Sequence, residues 1–223
     1  MDRDELYSSP AIIAPKLRKL SVLLKGFTKD EFPESGSLLA THQRPPRTHC
    51  FLVFAPGFWQ TQPMQIAVGI ITISDRASRG EYDDLGGPAV RAAVVGYGWT
   101  VVAECMVPDD QSAIQRAVRG QINQGAQLVL TTGGTGVAQR DVTPEAVRAI
   151  ADKELPGFGE VMRLKSLVLT PNAILSRSLA ASVGATLVVC LPGKPQGAVD
   201  CLSFVVGAIP HCLKVLQEIP TSC

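Results

Sequence analysis

From residue 64 onward the chain alternates short apolar, β-branched runs with longer stretches whose apolar positions recur every three or four residues. "MQIAVGIITIS" is an almost continuous apolar run ending in polar residues, which predicts a buried strand over 66–73. "DLGGPAVRAAVVGYG" predicts a helix that begins near Pro88, after glycines, and closes on Gly96 or Gly98. "WTVVAECMV" predicts the second strand. In "DDQSAIQRAVRGQINQG", Ile114, Ala117, Val118 and Ile122 share one helical face, and Gly125 stops the helix. "AQLVLTT" predicts the third strand, and "TPEAVRAIADKEL" a helix with Thr143 as N-cap and Pro144 at its first position. A "PGFGE" turn, helical stretches around 159–166 and 172–182, a strand in "ATLVVCLPG" and a helix from about Pro195 to Glu218 complete the series.

Strand–helix alternation of this kind calls for an α/β fold, a three-layer sandwich with a mostly parallel sheet covered by helices on both faces. Ligands of such sheets sit in loops beyond the carboxyl ends of the strands, which singles out 74–87, 131–143 and 191–197.

Residues 1–63 carry no such rhythm. Seven of the 16 prolines fall there (Pro10, Pro15, Pro33, Pro45, Pro46, Pro56, Pro63), with two of the three histidines, His42 and His49. No helical or strand period persists, although "KLRKLSVLL" at 16–24 suits a short helix. The segment is expected to be a poorly ordered N-terminal extension. Met64 is a natural initiation residue, so 1–63 reads as leader or upstream read-through ahead of a domain over 64–223.

Composition narrows the function classes. With 46% hydrophobic and 18% charged residues the chain is core-forming, not disordered. A net charge of +1 gives no electrostatic reason to expect nucleic acid or an anionic membrane as partner. No stretch reaches the roughly 18 uninterrupted apolar residues of a membrane span: 92–107 is broken by Glu104, and 199–213 by Asp200, Pro210 and His211. The acidic start "MDRDELYSSP" suits neither a secretory signal nor a transit peptide, and a cytoplasmic protein is expected. Cys50, Cys105, Cys190, Cys201, Cys212 and Cys223 show no CxxC or zinc spacing and read as reduced core thiols. His211–Cys212 reads as a packed pair on the last helix.

The three loops carry the candidate chemistry. Ser74, Asp75 and Arg76 follow directly on the first strand, where a ligand edge lies; the alternative is a surface Asp75–Arg76 ion pair of little worth. Asp83 and Asp84 read as a solvated loop face. In "VPDDQ", Asp110 reads as a cap or first-turn acid of the next helix and Asp109 as the acid facing the cleft. In "TTGGTGVAQRDVTPEA", Gly133, Gly134 and Gly136 let backbone amides approach an anion, and the following helix start adds positive potential.

That loop lacks the Gly-Lys-Ser/Thr ending of a Walker A turn, and Gln139 stands where a dinucleotide fingerprint needs its third glycine. A tight strand-to-helix turn therefore stays open as the plainer reading. Asp141 and Thr143 weigh against it, because a carboxylate beside a phosphate loop is a usual way to bring in Mg²⁺. In "LPGKPQ", Pro192 and Pro195 stiffen the turn, Gly193 permits close approach and Lys194 suits a phosphate, or the segment is simply a stiff connection. Ser176 and Arg177 of "AILSR" either line the same cleft or face water.

Together "GIITISDRASRGEYDDLGGPA", "VPDDQSAI", "LVLTTGGTGVAQRDVTPEA", "ELPGFGEVMR", "AILSR" and "LPGKPQ" resemble, in order, the Mog/MoaB-type molybdopterin-binding domain family. The resemblance covers essentially all of 64–223 and none of 1–63, and "LPGFGEVMR" looks closer to the family's adenylyltransferase branch. It implies a three-layer α/β fold, commonly trimeric. It also implies a reaction in which the terminal phosphate of molybdopterin attacks the α-phosphorus of Mg-ATP, giving adenylylated molybdopterin and pyrophosphate, with hand-over to a molybdenum insertase.

By the same resemblance Asp109 and Asp141 serve catalysis, and Gly133, Gly134, Thr135 and Gly136 form the phosphate turn, with Thr143 beside it; Asp141, with Asp109, is expected to place Mg²⁺ on the ATP phosphates. Ser74, Asp75, Arg76, Ser176 and the Pro192-Gly193-Lys194 turn would line the cleft. Two anions must meet, so charge neutralisation and positioning dominate, and no covalent nucleophile is needed. The competing readings are a MoaB-like pterin binder without turnover and an oligomeric scaffold of the gephyrin type; an insertase would need further domains.

Overall fold

A computed structural model of the protein describes residues 64–81 and 83–220, all within a unit spanning Phe58–Cys223. The expectations for 1–63, including the helix at 16–24, lie outside the described residues, as do Cys50 and Cys223.

In chain order the strands are β1 (Ala67–Ile73), β2 (Thr100–Val107), β3 (Leu128–Thr132), β4 (Lys153–Glu154), β5 (Ala180–Val183) and β6 (Thr186–Leu191). The helices are α1 (Asp75–Ser78), α2 (Gly86–Gly96), α3 (Gln111–Asn123), α4 (Thr143–Arg148), α5 (Pro156–Leu167), α6 (Pro195–Val205) and α7 (Ile209–Leu216), with 3₁₀ turns at Pro171–Leu175 and Val206–Ala208. The sheet order is β2-β1-β3-β6-β5-β4, parallel from β2 to β6 and antiparallel through β5 and β4.

Why β1, β3 and β6 read as unbroken apolar runs is plain from the core. Val68 and Ile70, Leu128 and Leu130, and Leu187, Val189 and Leu191 face α2, α5, α6 and α7, against Val90, Val94, Met162, Leu202 and Leu213. The alternate residues Ile71, Ile73, Val129, Val188 and Cys190 face the other way, against Ile114 and Val118 of α3 and Ala146 and Val147 of α4. Both faces are covered, so no polar alternation survives. Each such side chain, fully buried, contributes about 1.5–3 kcal/mol.

Several expectations change. The stretch 172–182 is not helical: a 3₁₀ turn at Pro171–Leu175 gives way to β5, which pairs with β6. "AASV" is a short stretch of weak preference, and its place beside β6 decides its state. The helix expected through "TPEAVRAIADKEL" ends at Arg148, because Asp152 N and Leu155 N donate to Ser182 O and Ala180 O and draw that chain to the sheet edge as β4. Pro156 also disfavours helix at Leu155. The last helix breaks at Val206–Ala208, where Pro210 starts α7 without an amide hydrogen to give.

On α3 the inner face includes Gln121, 2% exposed, which lies over Gly69 of β1; a Cβ added at Gly69 would sit 2.4 Å from Gln121 Oε1. Two polar expectations also shift. Cys105 is exposed on the edge strand β2, whereas Cys190 and Cys201 are core thiols. Cys212 packs against the core while its neighbour His211 is exposed.

By length and composition the helical run Pro195–Leu216 is apolar enough to cross a bilayer. Here Ala198, Cys201, Leu202, Val205, Ile209 and Leu213 of that run are core residues.

Candidate functional site

Four parallel strands end at one edge of the sheet, and the loops that follow them enclose a cavity of about 730 Å³. β1 lies between β2 and β3, so the connection from β1 to β2 and the next one, from β2 back past β1 to β3, run in opposite directions, and a cleft opens at that switch point. The opposite wall comes from α5 and the turn beyond it: Met162, Arg163, Ser166, Asn172, Ala173 and Ser176.

The floor is the glycine turn after β3. Gly133 has φ +109°, and a Cβ there would sit 2.1 Å from the carbonyl oxygen of Ile73. At Gly134, φ is +62°, and a Cβ would meet Thr143 Oγ1 at 2.3 Å and Asp109 Oδ1 at 2.9 Å. Only glycine lets the turn lie this close to β1 and to the acid.

Thr143 closes the turn. Its Oγ1 donates to Gly133 O at 2.9 Å and its amide to Gly134 O at 3.1 Å. It is therefore not the N-cap that the sequence predicts: Val142 holds that position without a side-chain bond. The buried hydroxyl finds a carbonyl of the preceding turn, and Thr143 supports the cavity from behind without lining it.

Asp109 and Asp141 both line the cavity. The Asp141 backbone amide donates to Ala138 O at 2.9 Å, and its Oδ2 accepts from the Ala138 amide at 2.8 Å, which leaves Oδ1 for a ligand. Asp109 and Asp75 brace each other: Asp109 Oδ2 accepts from the Asp75 amide at 2.9 Å, and Asp75 Oδ1 from the Asp109 amide at 3.1 Å. Arg140 pairs with Asp75. Burial pushes the Asp109 carboxyl above the ordinary aspartate range; the amide of Asp75 works against this, the charges of Asp75 and Asp141 add to it, and Arg140 opposes them. Asp110, by contrast, caps α3, accepting from the Ala113 amide at 2.8 Å, so the two neighbouring acids divide as the sequence predicts.

Of the other expected site residues, Ser74, Thr135, Gly136, Ser176, Pro192, Gly193 and Lys194 line the cavity. Ser74 also caps α1, accepting from the Ala77 amide at 3.2 Å. A Cβ added to Gly193 would lie 3.3 Å from Gly133 Cα, and Thr132 Oγ1 donates to Pro192 O at 3.0 Å, so the two loops are held together. Asp75 braces from behind, and the exposed Arg76 does not line the cavity.

Residues the sequence reading passed over matter as much. Asp84 is no solvated acid: it lines the cavity, accepts from Thr72 Oγ1 at 2.7 Å and takes the Gly86 and Gly87 amides at 2.8 and 3.1 Å. Those bonds start α2 two residues before Pro88, and the run Asp-x-Gly-Gly was the available signal. Arg177 neither lines the large cavity nor faces water freely. Its Nε donates to Gly136 O at 2.6 Å, its other nitrogens bind Asp141 O and the Glu145 carboxylate, and its amide donates to Thr135 O at 2.9 Å. One side chain therefore fixes both ends of the loop that carries Asp141.

The donor set suits Mg²⁺. Among the described residues no three acids, histidines or cysteines gather as a metal cage, and Mg²⁺ ordinarily takes one or two carboxylates and completes its shell with water and phosphate. Asp109, held above its usual range with Asp141 near enough to raise it, is a charge that a cation would relieve.

Comparison with known proteins gives the site a context. Residues 69–211 match the family model described as a probable molybdopterin binding domain. The chain is 41% identical over 154 residues to a molybdopterin adenylyltransferase of Helicobacter pylori, covering 68% of this chain and 88% of that protein. It is 38% identical over 167 residues to the molybdopterin adenylyltransferase of Escherichia coli, covering 68% and 86%. Among solved structures, the molybdopterin biosynthesis enzyme MoaB of Thermus thermophilus superposes with a TM-score of 0.66 at 42% identity, over 71% of this chain and all of that one.

Proposed function

The chain belongs to the molybdopterin-binding domain family, and from that premise we propose that it is a molybdopterin adenylyltransferase acting in molybdenum cofactor biosynthesis. The observation that carries this reading is one cavity in which the glycine turn 133–136, Asp109, Asp141 and Lys194 converge from three separate strand ends, those of β3, β2 and β6.

The chemistry is nucleotidyl transfer. An oxygen of the terminal phosphate of molybdopterin forms a bond to the α-phosphorus of ATP; the bond from that phosphorus to the bridging oxygen breaks, and pyrophosphate leaves with the electron pair. The attacking phosphate is already an anion, so the protein's work is to hold two anions in line and offset their repulsion. Amides of Gly134 and Gly136 supply donors to a phosphate, and Lys194 a mobile cation at its edge. Asp109 and Asp141 would hold Mg²⁺, which supplies charge neutralisation on the phosphates when bound. Arg177 and Thr143 keep the loop rigid, so these groups need no reorganisation as the reaction proceeds.

We infer a cytoplasmic homotrimer that passes its product to a molybdenum insertase. Leu164, Val168, Leu169 and Ile174 form exposed apolar surface around the end of α5, and exposed apolar surface of this kind supports a reading of self-association.

Incubation of the purified chain with molybdopterin and Mg-ATP tests the reaction: pyrophosphate release with an adenylylated pterin is expected. Binding without turnover would instead make the chain a pterin-binding relative. Asp141→Asn keeps the Oδ that Ala138 needs but loses the charge, so it should fold normally and lose adenylylation; wild-type turnover by this variant would remove Asp141 from the mechanism.

A further inference from the structure

Behind the large cavity lies a second one of about 260 Å³ that the proposed reaction leaves without a role. Three arginines line it, Arg148, Arg163 and Arg177, against a single lining carboxylate, Glu154. Glu154 is already engaged, holding Arg148 through Nε at 3.1 Å and Nη2 at 2.9 Å. Arg177 is paired with Glu145 and spends its nitrogens on the glycine loop.

Arg163 is different. It is half-buried, and no carboxylate of the described residues forms an ion pair with it. Its Nη1 donates to Ser178 O at 2.9 Å and, at the limit of a hydrogen bond, to Ser176 O at 3.5 Å. Those contacts fix the plane of the guanidinium and leave Nε and Nη2 with donors to give. Both terminal nitrogens lie close to Gly159, where an added Cβ would come within 3.1 Å of Nη1 and 3.3 Å of Nη2. A half-buried guanidinium held in one orientation, with donors still to give, is ready to grip an anion.

The other walls agree in sign. The first turn of α5, a helix of 12 residues, contributes Pro156 and Gly159 to the cavity, has no side-chain cap and carries no acid. Its amides and dipole therefore add positive potential. Ser178, 1% exposed, accepts from Ser176 Oγ at 3.0 Å, and its own hydroxyl proton has no acceptor among the described residues.

We propose that this second cavity is an oxyanion subsite that takes a phosphate-class group, with Arg163 as the residue that grips it. Arg163 and Ser176 line both cavities, so an anion there sits beside the reaction chamber and not at a remote surface. Two sources share this chemistry: a free inorganic oxyanion, or the pyrophosphate released in the proposed reaction. Only the second source rests on that reaction.

The test is calorimetric titration of the full chain, without molybdopterin or nucleotide, with sodium pyrophosphate and separately with orthophosphate at constant ionic strength. The variants are Arg163→Gln, Arg163→Lys and Lys194→Gln, each checked for an unchanged thermal transition. Arg163→Gln should weaken binding by about tenfold or more, the loss expected for one charge-assisted hydrogen bond. Arg163→Lys, which keeps the charge without the fork, should fall between. Lys194→Gln should leave the Arg163-dependent event in place.

Binding of pyrophosphate alone assigns the site to the product, and equal binding of orthophosphate assigns it to a free oxyanion. Absence of binding to the wild type, or equal binding by Arg163→Gln, overturns the proposal. Neither failure touches the adenylyl transfer, which has its own assay; loss of that activity with Arg163-dependent binding intact would overturn the reaction and leave the subsite standing.

Discussion

Replacing Gly133 by alanine should cost this domain a large part of its stability, and the structure says why. A side chain at φ +109° lies outside the conformations that L-residues adopt, and even the milder left-handed helical region costs about 1–2 kcal/mol. The new Cβ would also sit 2.1 Å from the carbonyl oxygen of Ile73, well under the 3.0 Å below which real Cβ atoms essentially never lie. The obstacle is backbone at the end of β1, a central strand of the sheet, so no flexible side chain can swing aside. Strain plus displacement comes to about 3–5 kcal/mol, at the upper end of what single substitutions do.

A domain of this size loses roughly 2–4 °C in Tm per kcal/mol. Urea unfolding followed by circular dichroism should then show a clearly lower midpoint at unchanged slope. Gly136→Ala is the control: it has an ordinary φ, and its Cβ would meet only the Asp141 carboxylate, at 2.8 Å. It should unfold near the wild-type midpoint while losing activity by displacing that acid. A wild-type midpoint for Gly133→Ala would refute the close approach of the turn to β1.

Arg177→Lys keeps a charge but loses the fork that reaches Gly136 O and Asp141 O together; it should lower Tm modestly and lower kcat more than it raises KM for ATP, by steady-state kinetics. The Asp109 carboxyl is raised in the folded state from an ordinary 3.8, so the folded protein binds that proton more tightly than the unfolded one. The stability it contributes is therefore full below the unfolded value and is lost as pH rises through the folded one. Across that window Asp109→Asn should gain Tm relative to wild type as pH rises, and a constant difference would contradict the assignment. Burial pushes the Cys190 thiol up to about 12, so at neutral pH a thiol reagent should label the exposed Cys105 and leave Cys190 untouched until the protein unfolds, as mass spectrometry would show.

What could be read in advance follows the range of the forces involved. β1, β3 and β6 were legible because burial on both faces leaves an unbroken apolar run, and the division of labour between Asp109 and Asp110 because a cap is a local bond. Thr143 was misplaced because its local pattern suits a cap, while its actual acceptor, Gly133 O, lies ten residues back. Arg177 acts on carbonyls 41 and 36 residues away, and no window along the chain holds both partners. Asp84 looked like one of two loop acids because its value comes from Thr72, a strand residue. The antiparallel edge was missed for a related reason: "KE" and "AASV" have little strand character of their own and become strands through their neighbours.

The sheet order has a consequence for synthesis on the ribosome. β6 is the last strand made, yet it is the one that joins β3 to β5. Until Thr186–Leu191 emerges, the parallel half and the β5–β4 edge share no strand pairing, and Arg177, just ahead of β5, is not yet anchored next to the glycine loop it must hold. A nascent chain stopped before Leu191 can form β1, β2 and β3 but not a finished cavity. Completion of the site is thus a late, long-range closure, and adenylyl transfer would appear only when the final strand slots into the middle of the sheet.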